Sequence, residues 1–410
     1  MTLPTRRIGC RSLTSFPASL ALVALVATSV SCASAPTVAP VPPTAVAADP
    51  SGGSASSSPP AGLRPEAVPL FVLLGFDDNF ISGMPGSDTT GSIRFVVDLL
   101  DGKRNPPGRG NPRTFDGAPA RIAFYSATRY LEAPDADRPE NVKRALRAAA
   151  DAGHEIGLHT HSHSHGAGFT SAQWAAEIAT CSDWLSKPFD GERAAEPAVG
   201  LGVARTAQLG FRAPFLELGP PLFPALRERG LAYDCSVEVG TERSYDGGNF
   251  PWPYRVAAGY GGEGRDPARE LWELPVYAMI VPPDELCERY GVPPGLREKL
   301  HRKQDYFDVA DGKITGFDWN LWVAFQMSAP EVLATFRYTL DRRLAGNRAP
   351  LTFGTHSDIY SEQYDGITGS TAEERRRALA TIVEESLAHP EVRLVTGAEL
   401  VGWLRSPAAL

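Results

Sequence analysis

Cysteine is scarce in this chain. There are five cysteines in 410 residues, and no two of them have the spacing of a zinc finger. Three of them, Cys181, Cys235 and Cys287, lie in the body of the chain. We interpret these three as structural or inert, although one disulfide with one thiol left over would suit an exported protein.

The chain also has fewer positive than negative charges and few long apolar runs. Lys and Arg number 40 against 48 Asp and Glu, and without the three arginines of the first 11 residues the basic count is 37. The resulting net charge of about −11 disfavours nucleic acid or an anionic membrane surface as a partner. Apart from one run near the start, no apolar stretch is long enough to span a bilayer. We therefore expect no nucleic-acid partner and no transmembrane domain.

Residues 1–32 have the features of a secretory signal peptide. Arginines at positions 6, 7 and 11 precede an apolar run at residues 20–30, and small residues follow it. Cys32 stands where a lipidated cysteine would follow the cleavage, although Ser29 replaces the leucine that is usual three residues earlier. Ordinary cleavage near Ala35 is the alternative. We expect an exported protein of the cell envelope, either lipid-anchored at Cys32 or periplasmic or extracellular.

Residues 33–67 are rich in alanine, proline and serine, with almost no charge and no hydrophobic period. Such a segment cannot bury enough surface to offset the entropy cost of ordering, so we expect a disordered tether. Residues 68–405 are predicted to form a single domain, because this length suits an α/β barrel with loop insertions.

Short apolar runs alternate with amphipathic stretches along this domain. The runs typical of buried strands are residues 70–74, 121–125, 155–158, 351–353 and 393–395. The stretches with helical spacing are residues 139–152, 171–186, 220–229, 330–345 and 371–389. Repeated strand-then-helix order indicates a parallel sheet, and at this length a barrel is favoured over an open sheet. We interpret the charged, irregular residues 282–317 as an insertion.

Five of the eight histidines lie within twelve residues, at positions 154, 159, 161, 163 and 165. Neutral imidazole is a common metal ligand, and two histidines four apart can bind one ion. The tract therefore predicts a metal site. The alternative is a surface His/Ser run that binds metal loosely or not at all. Spacing alone leaves two pairs open, 159 with 163 and 161 with 165.

Polar side chains follow three further strand-like runs. Asp77 and Asp78 come after the first run, Arg212 comes after a Gly-Phe pair, and His356 comes after residues 351–353. The carboxyl ends of parallel strands surround a common mouth in a barrel. We therefore expect these side chains to converge with the histidine tract.

These residues lie in motifs that resemble those of the polysaccharide deacetylase family, carbohydrate esterase family 4. Gly75-Phe76-Asp77-Asp78 is similar to the first motif, His159-Thr160-His161-Ser162-His163 to the second, and Gly210-Phe211-Arg212-Ala213-Pro214-Phe215 to the third. Further stretches resemble the chitin deacetylases of arthropods: Tyr233-Asp234-Cys235-Ser236, Trp252-Pro253-Tyr254, Trp272-Glu273-Leu274-Pro275 and Asn347-Arg348-Ala349-Pro350. The resemblance covers residues 68–405 and implies an α/β fold, a distorted parallel (β/α) barrel of seven strands forming a single catalytic domain.

The resemblance also implies a ligand set for one divalent metal ion. Asp78, His159 and His163 would bind it, while His161 and His165 would be bystanders. Two imidazoles and one carboxylate leave positions for water and substrate, as in a catalytic zinc site. Zinc is expected, and cobalt, nickel, manganese or iron suit the same ligands.

The remaining roles follow from the same resemblance. Asp77 would be the general base, oriented by the Arg212 guanidinium. The backbone N–H of Phe215, beside Pro214, would bind the oxyanion. His356 would protonate the departing amine.

The chain departs from the family's pattern at three places. Asn79 stands where glycine is usual, Gly354 occupies an apolar position before His356, and no tryptophan follows Asp234 at the common spacing. Trp272 or Trp252 is a candidate wall of the sugar site, and burial in the core is the alternative for both.

The function implied is hydrolytic de-N-acetylation of an N-acetylglucosamine polymer or oligomer by a monomeric enzyme that releases acetate. Chitin-like substrates are favoured by the branch resemblance, ahead of peptidoglycan or an exopolysaccharide. Two alternatives remain at this stage. One is a catalytically silent glycan-binding protein on the same fold, and the other is an amidohydrolase of small non-peptide amides.

Overall fold

The computed structural model describes residues 49–85, 91–261, 270–364 and 366–410. The predicted signal peptide, Cys32 and the first part of the predicted tether lie outside these residues. Within them, none of the helices has the length and hydropathy needed to cross a bilayer.

Residues 49–67 pack against the domain, although the sequence places them in the disordered tether. The carbonyl of Ser56 accepts a hydrogen bond from the Trp252 backbone N–H at 2.7 Å, and that of Pro50 accepts one from Ala257 at 2.8 Å. The Ser57 carbonyl accepts another from the Asn347 side chain at 2.6 Å. Backbone hydrogen bonds leave no hydrophobic period in a sequence, so composition misjudged this stretch.

Twelve strands occur in the described residues. They are β1 Leu70–Asp77, β2 Ala123–Ser126, β3 Glu155–Leu158, β4 Gly210–Phe211, β5 Tyr233–Asp234, β6 Glu238–Val239, β7 Tyr254–Arg255, β8 Trp272–Glu273, β9 Val276–Ile280, β10 Lys313–Thr315, β11 Leu351–His356 and β12 Val392–Leu394.

Seven of these strands form a continuous parallel run in the order β11, β1, β2, β3, β4, β5, β8. Strand β7 extends the run antiparallel to β8, and the first half of β1 also pairs with β12. Strands β6, β9 and β10 make a second, three-stranded sheet. The curled, mostly parallel sheet confirms the predicted α/β fold as a half-barrel.

The helices of the described residues are α1 Ser92–Leu100, α2 Pro139–Asp151, α3 Ser171–Ser186, α4 Leu222–Arg229, α5 Asp284–Cys287, α6 Leu296–Lys303, α7 Ala329–Ala345, α8 Ala372–Ala388 and α9 Gly397–Arg405. Four of them begin with a capping box, in which a Ser or Thr and a Glu or Gln three residues later satisfy the free N–H groups. Helices α5 and α6 and strand β10 lie within residues 282–317. This insertion is therefore structured and not irregular.

Strand β1 lies at the centre of the sheet, and its side chains alternate between two cores. Leu74 and Phe76 belong to the larger hydrophobic cluster, whereas Phe71 and Leu73 belong to the smaller one. Because side chains alternate along a strand, Asp77 lies on the same face as Phe71 and Leu73, at the carboxyl end of the strand. The first catalytic candidate is thus fixed by a fully buried strand.

The three cysteines of the body of the chain, Cys181, Cys235 and Cys287, are all buried and free. The disulfide that the sequence allowed is not formed among them. Burial raises the pKa of the Cys181 thiol to about 12, which disfavours the thiolate.

Candidate metal centre and active site

Asp78, His159 and His163 come together at the carboxyl ends of the parallel strands. Asp78 directly follows β1, His159 directly follows β3, and His163 lies in the loop beyond. The Asp78 Oδ1 atom lies 2.8 Å from His163 Nε2 and 3.4 Å from His159 Nε2. One donor atom from each residue falls within 4.8 Å of the others.

These donors are close enough together to bind one metal ion. Ligand atoms of a tetrahedral zinc site, each ~2 Å from the ion, are roughly 3.3 Å apart. Asp78 Oδ1 is buried and lacks a hydrogen bond of acceptable geometry, although His163 Nε2 is close to it. The short distance between Asp78 Oδ1 and His163 Nε2, with no hydrogen bond between them, is explained if the lone pairs of both atoms point at a shared cation. The three residues therefore fit a divalent metal ion.

The His159 ring is oriented by a second contact. Its Nδ1 atom lies 2.8 Å from the Arg212 carbonyl oxygen, which can only accept a hydrogen bond. The proton of neutral His159 is therefore on Nδ1, and the Nε2 lone pair faces Asp78. Such an orienting partner is typical of metal-binding histidines.

The Asp78 carboxylate is kept ionised at this site. Burial opposes ionisation, but the charge of His163, when that ring is protonated, holds the pKa of Asp78 well below its usual range. Its backbone is left-handed, with φ of 63°, and Asn79 has the same φ. The buried Asn79 side chain donates to the Phe76 and Tyr125 carbonyls at 2.8 and 3.0 Å. These bonds explain why asparagine can replace the usual glycine, since asparagine tolerates this conformation.

The loop between the two histidines is held by Glu177 of α3. The Glu177 carboxylate accepts hydrogen bonds from the backbone N–H groups of His161 and Ser162 at 2.9 and 2.8 Å. It also accepts one from the Ser162 hydroxyl at 2.8 Å. Within the loop, Thr160 and His163 have φ of 64° and 54°. Sequence reasoning missed Glu177, because an acidic residue inside a helix gives no sign of its partners.

Asp77 and Arg212 form a buried ion pair beside the metal candidates. Arg212 Nη1 donates to Asp77 Oδ1 at 2.9 Å, and both residues are 3% exposed. The guanidinium is fixed further by Nε, which donates to the Cys235 carbonyl at 3.0 Å, and by the Tyr125 ring, 4.5 Å from its carbon. Burial opposes the charge of Arg212, but Asp77 keeps the pKa of Arg212 above its usual range.

His356 lies across from Asp77, because the two are register partners in the β1–β11 pair. Its ring Nδ1 lies 2.8 Å from Asp318 Oδ1, and its backbone N–H donates to Asp318 Oδ2 at 2.9 Å. Burial opposes protonation, but Asp318 raises the pKa of His356 to about 10. The free Nε2 side of a protonated ring can act as an acid. Sequence reasoning missed Asp318, which follows the segment treated as an insertion.

A third unpredicted carboxyl, Asp358, is 3% exposed and lies two residues after His356. Burial raises the pKa of Asp358 to about 7, and its Oδ1 has no hydrogen-bond partner among the described residues. Its only sequence signal is its nearness to His356.

A family model described as "Polysaccharide deacetylase" matches residues 114–195. This part of the chain is similar to the polysaccharide deacetylase family. The matched segment contains β2, α2, β3, His159 and His163. The aspartate pair, Arg212 and His356 lie outside it, so their roles depend on the geometry and on the motif resemblance. No curated protein matches the chain.

Three solved structures align with more than four fifths of this chain at low identity. A Mycobacterium smegmatis protein assigned to the polysaccharide deacetylases is 16% identical, with 86% of this chain and 97% of that chain covered and a TM-score of 0.46. A Pseudomonas aeruginosa PAO1 protein with the same assignment is 12% identical, with 84% and 95% covered and a TM-score of 0.43. A 4-alpha-glucanotransferase from Thermococcus litoralis is 13% identical, with 82% and 40% covered and a TM-score of 0.45.

Phe215 lies beside the candidate metal centre. It follows the buried Pro214, has a left-handed φ of 58°, and is 39% exposed. The ring centroid is 4.7 Å from that of His163 and 4.1 Å from that of His165, which it stacks on. Its ring therefore packs on one of the metal candidates, and the oxyanion role of its N–H remains a prediction.

The other histidines of the tract pair elsewhere. His161 contacts Thr128 at 3.1 Å and Glu132 at 3.3 Å, and His165 contacts Glu217 at 2.9 Å. Neither belongs to the group of donor atoms around Asp78. The structure thus favours the 159/163 pair. Buried His154 packs against Phe124, and burial lowers its pKa to about 4.

The tryptophans proposed for the sugar site lie in the core instead. Trp272 is 7% exposed and Trp252 is 2% exposed, and both belong to the smaller hydrophobic cluster. Trp252 stacks on Trp403, with ring centroids 5.8 Å apart. The prediction that Trp272 contacts substrate is therefore wrong, because its ring is covered by protein.

Proposed function

We propose that this protein is a metal-dependent hydrolase that removes the acetyl group from N-acetylglucosamine units of a polysaccharide or oligosaccharide. One observation carries the proposal. A metal-binding group (Asp78, His159 and His163), a base candidate held by arginine (Asp77 and Arg212) and an acid candidate held by carboxylate (His356 and Asp318) share the same end of one sheet.

Asp78, His159 and His163 would hold the metal ion. When bound there, a divalent ion supplies Lewis acidity, which makes water more acidic and the amide carbonyl more electrophilic. The rest of the reaction falls to the chain's own side chains. Asp77 takes the proton of the attacking water, and the Arg212 guanidinium holds Asp77 oriented for this task.

The Phe215 N–H donates to the carbonyl oxygen as negative charge develops on it. The carbon–nitrogen bond then breaks, and His356 gives its proton to the amine nitrogen. Asp318 stabilises the protonated ring before this transfer. Acetate and a free amino group are the products, and the proton taken by Asp77 balances the one that His356 supplies.

A silent glycan-binding protein would not need these pairs. Arg212 and Asp77 cost desolvation energy at 3% exposure, and Asp318 has 0% exposure. Buried charges of this kind are understandable where a base and an acid must be tuned, and they add nothing to stacking or hydroxyl recognition. The pairing of base and acid therefore favours catalysis.

For the substrate we propose a chitin-like glycan, with peptidoglycan and exopolysaccharide as the nearest competitors, and a single divalent ion, zinc first. The support is the set of stretches along residues 68–405 that resemble chitin deacetylases. We further propose that the protein works as a monomer outside the cytoplasm, in the cell envelope.

The test follows acetate release by the full chain from chito-oligosaccharides, peptidoglycan and small cyclic amides in parallel. Metal is stripped with chelator and then restored. We expect acetate from a glycan only after metal is restored, and no turnover of small amides. Turnover of small amides alone would favour the amidohydrolase alternative, and no turnover of any substrate would contradict the proposal.

A further inference from the structure

The segment from Arg212 to Phe215 is held from behind by the end of β5. The backbone N–H of Ala213 donates to the Ser236 hydroxyl at 2.8 Å, and Arg212 Nε donates to the Cys235 carbonyl at 3.0 Å. The segment then passes through two left-handed residues, Phe215 and Leu216, with φ of 58° and 54°. Non-glycine residues in this conformation store strain that surrounding contacts must hold.

The direction of the Ser236 hydrogen bonds is fixed by proton counting. A serine hydroxyl has one proton to donate. Because the Ser236 oxygen already accepts the Ala213 N–H, its own proton goes to Asp234 Oδ1, 2.7 Å away. Asp234 therefore orients the hydroxyl that holds the segment.

Asp234 is itself paired with a second carboxyl, Glu273. The two residues are register partners of β5 and β8, and both have 0% exposure. Glu273 Oε1 accepts the Val237 backbone N–H at 3.1 Å. The other oxygens, Asp234 Oδ2 and Glu273 Oε2, have no donor among the described residues. One proton shared by the two carboxyls gives both oxygens a partner.

The pKa shifts of the two carboxyls agree with a shared proton. Burial raises the pKa of Asp234 to about 6, and burial together with the Asp234 charge raises the pKa of Glu273 well above its usual range. Neither carboxyl belongs to the metal-binding group of the described residues. A buried acid pair outside that group, which reaches the segment from Arg212 to Phe215 through the Ser236 hydroxyl, has the contacts of a positioning element.

We propose that Ser236 and the proton-sharing pair Asp234–Glu273 are positioning residues that hold Arg212 and the Phe215 N–H in their working geometry. This inference rests on the proposed deacetylase function. The chain of contacts runs from Glu273 through Asp234 and Ser236 to the Ala213 amide. Its loss displaces the loop without removing any group that touches substrate or metal.

The test compares Ser236→Ala, Asp234→Asn and Asp234→Ala with the wild-type full chain loaded with zinc. Thr339→Val is the matched control, because the Thr339 hydroxyl accepts the Ile280 backbone N–H at 2.9 Å in a buried position away from this loop. The measurements are kcat and KM for acetate release, zinc affinity, and hydrogen exchange of the peptide that covers residues 211–217.

We expect Ser236→Ala to lower kcat about 10- to 100-fold, the loss that a misplacement of ~1 Å brings. Its KM and zinc affinity should stay close to those of wild type, because the groups that bind substrate and metal are all kept. Asp234→Asn should keep most of the activity, because its amide accepts from Ser236 and donates to Glu273. The kcat of Asp234→Ala should fall as far as that of Ser236→Ala. Thr339→Val should lose stability but keep kcat.

Unchanged kcat in Ser236→Ala, or an equal loss of kcat in Thr339→Val, would overturn the inference. If Ser236→Ala does not fold, kcat is measured for Glu273→Gln instead. The amide of this variant replaces the shared proton, so its kcat must equal that of wild type. If the wild-type protein itself releases no acetate, the proposed function fails, but exchange still tests the positioning. The Ala213 amide must then exchange at least about tenfold faster in Ser236→Ala.

Discussion

Asp318→Asn tests the acid of the site, because it removes the charge behind His356 with little change of shape. The carboxylate lies 2.8 Å from His356 Nδ1 and has 0% exposure. Two unit charges at that distance attract by about 6 kcal/mol at an effective dielectric constant of ~20. Burial of the ring opposes this attraction, and the net result is the rise of the His356 pKa from 6.5 to about 10.

The rise in pKa corresponds to about 5 kcal/mol in favour of the protonated ring, at ~1.4 kcal/mol for each pH unit. Most of it comes from Asp318, so we expect the pKa of His356 to fall by roughly two or more in the variant. The protonated ring is the proton donor, so activity must decline as pH rises through the His356 pKa. The alkaline limb of the rate profile should therefore move to lower pH in Asp318→Asn.

The raised pKa of His356 also stabilises the folded protein. The pKa of His356 is higher in the folded protein than its ordinary 6.5, so the stabilisation is fully present below pH 6.5 and is lost as pH rises through about 10. Asp318→Asn should therefore destabilise the protein near neutral pH and flatten the dependence of its stability on pH between these values.

The assay is an NMR titration of the His356 ring in the zinc-loaded protein, with the resonance assigned by a His356→Gln variant. Glu132→Gln is the control, because Glu132 lies 3.3 Å from His161 and should leave His356 unchanged. An Asp318→Asn protein whose His356 titrates as in wild type would refute the reasoning. So would an equal shift in the control.

Four other substitutions separate the remaining roles. Asp77→Asn should abolish acetate release by ~100-fold or more while calorimetry still shows metal bound, because only the base is lost; loss of metal as well would contradict this assignment. His163→Gln should remove tight metal binding, and His161→Gln should not, because His161 contacts Glu132 instead. Equal loss of metal binding in both variants would contradict the choice of His159 and His163 as the ligand pair. Glu177→Gln should weaken metal affinity about 10- to 100-fold by loosening the histidine loop, and unchanged affinity in a competition titration would rule out that role.

The local sequence predicted the parallel strands and the residues at their ends. Residues 155–158 and 171–186 match β3 and α3, because a buried apolar run and a capping box each depend only on residues that are near one another in the sequence. Spacing also put Asp78 and the histidine tract at strand ends, but the choice of His159 and His163 over His161 and His165 came from the family resemblance.

Contacts between distant segments could not be predicted in this way. Asp318 approaches His356 only because β10 and the turn after it lie beside β11, where Phe317 bridges to Gly354. Trp272 was mistaken for a wall of the site because a tryptophan next to a strand end looks the same in sequence whether its ring is open or covered. Residues 49–67 were assigned to the tether because backbone hydrogen bonds have no signature in composition.

The central claim is that Asp78, His159 and His163 bind one metal ion together. Anomalous diffraction at the zinc edge, on crystals of the metal-loaded protein, tests it most directly. We expect a single strong peak ~2 Å from Asp78 Oδ1 and from the Nε2 atoms of His159 and His163. A peak at His161 or His165 instead, or no peak at all beside Asp78 in protein that releases acetate, would contradict the account.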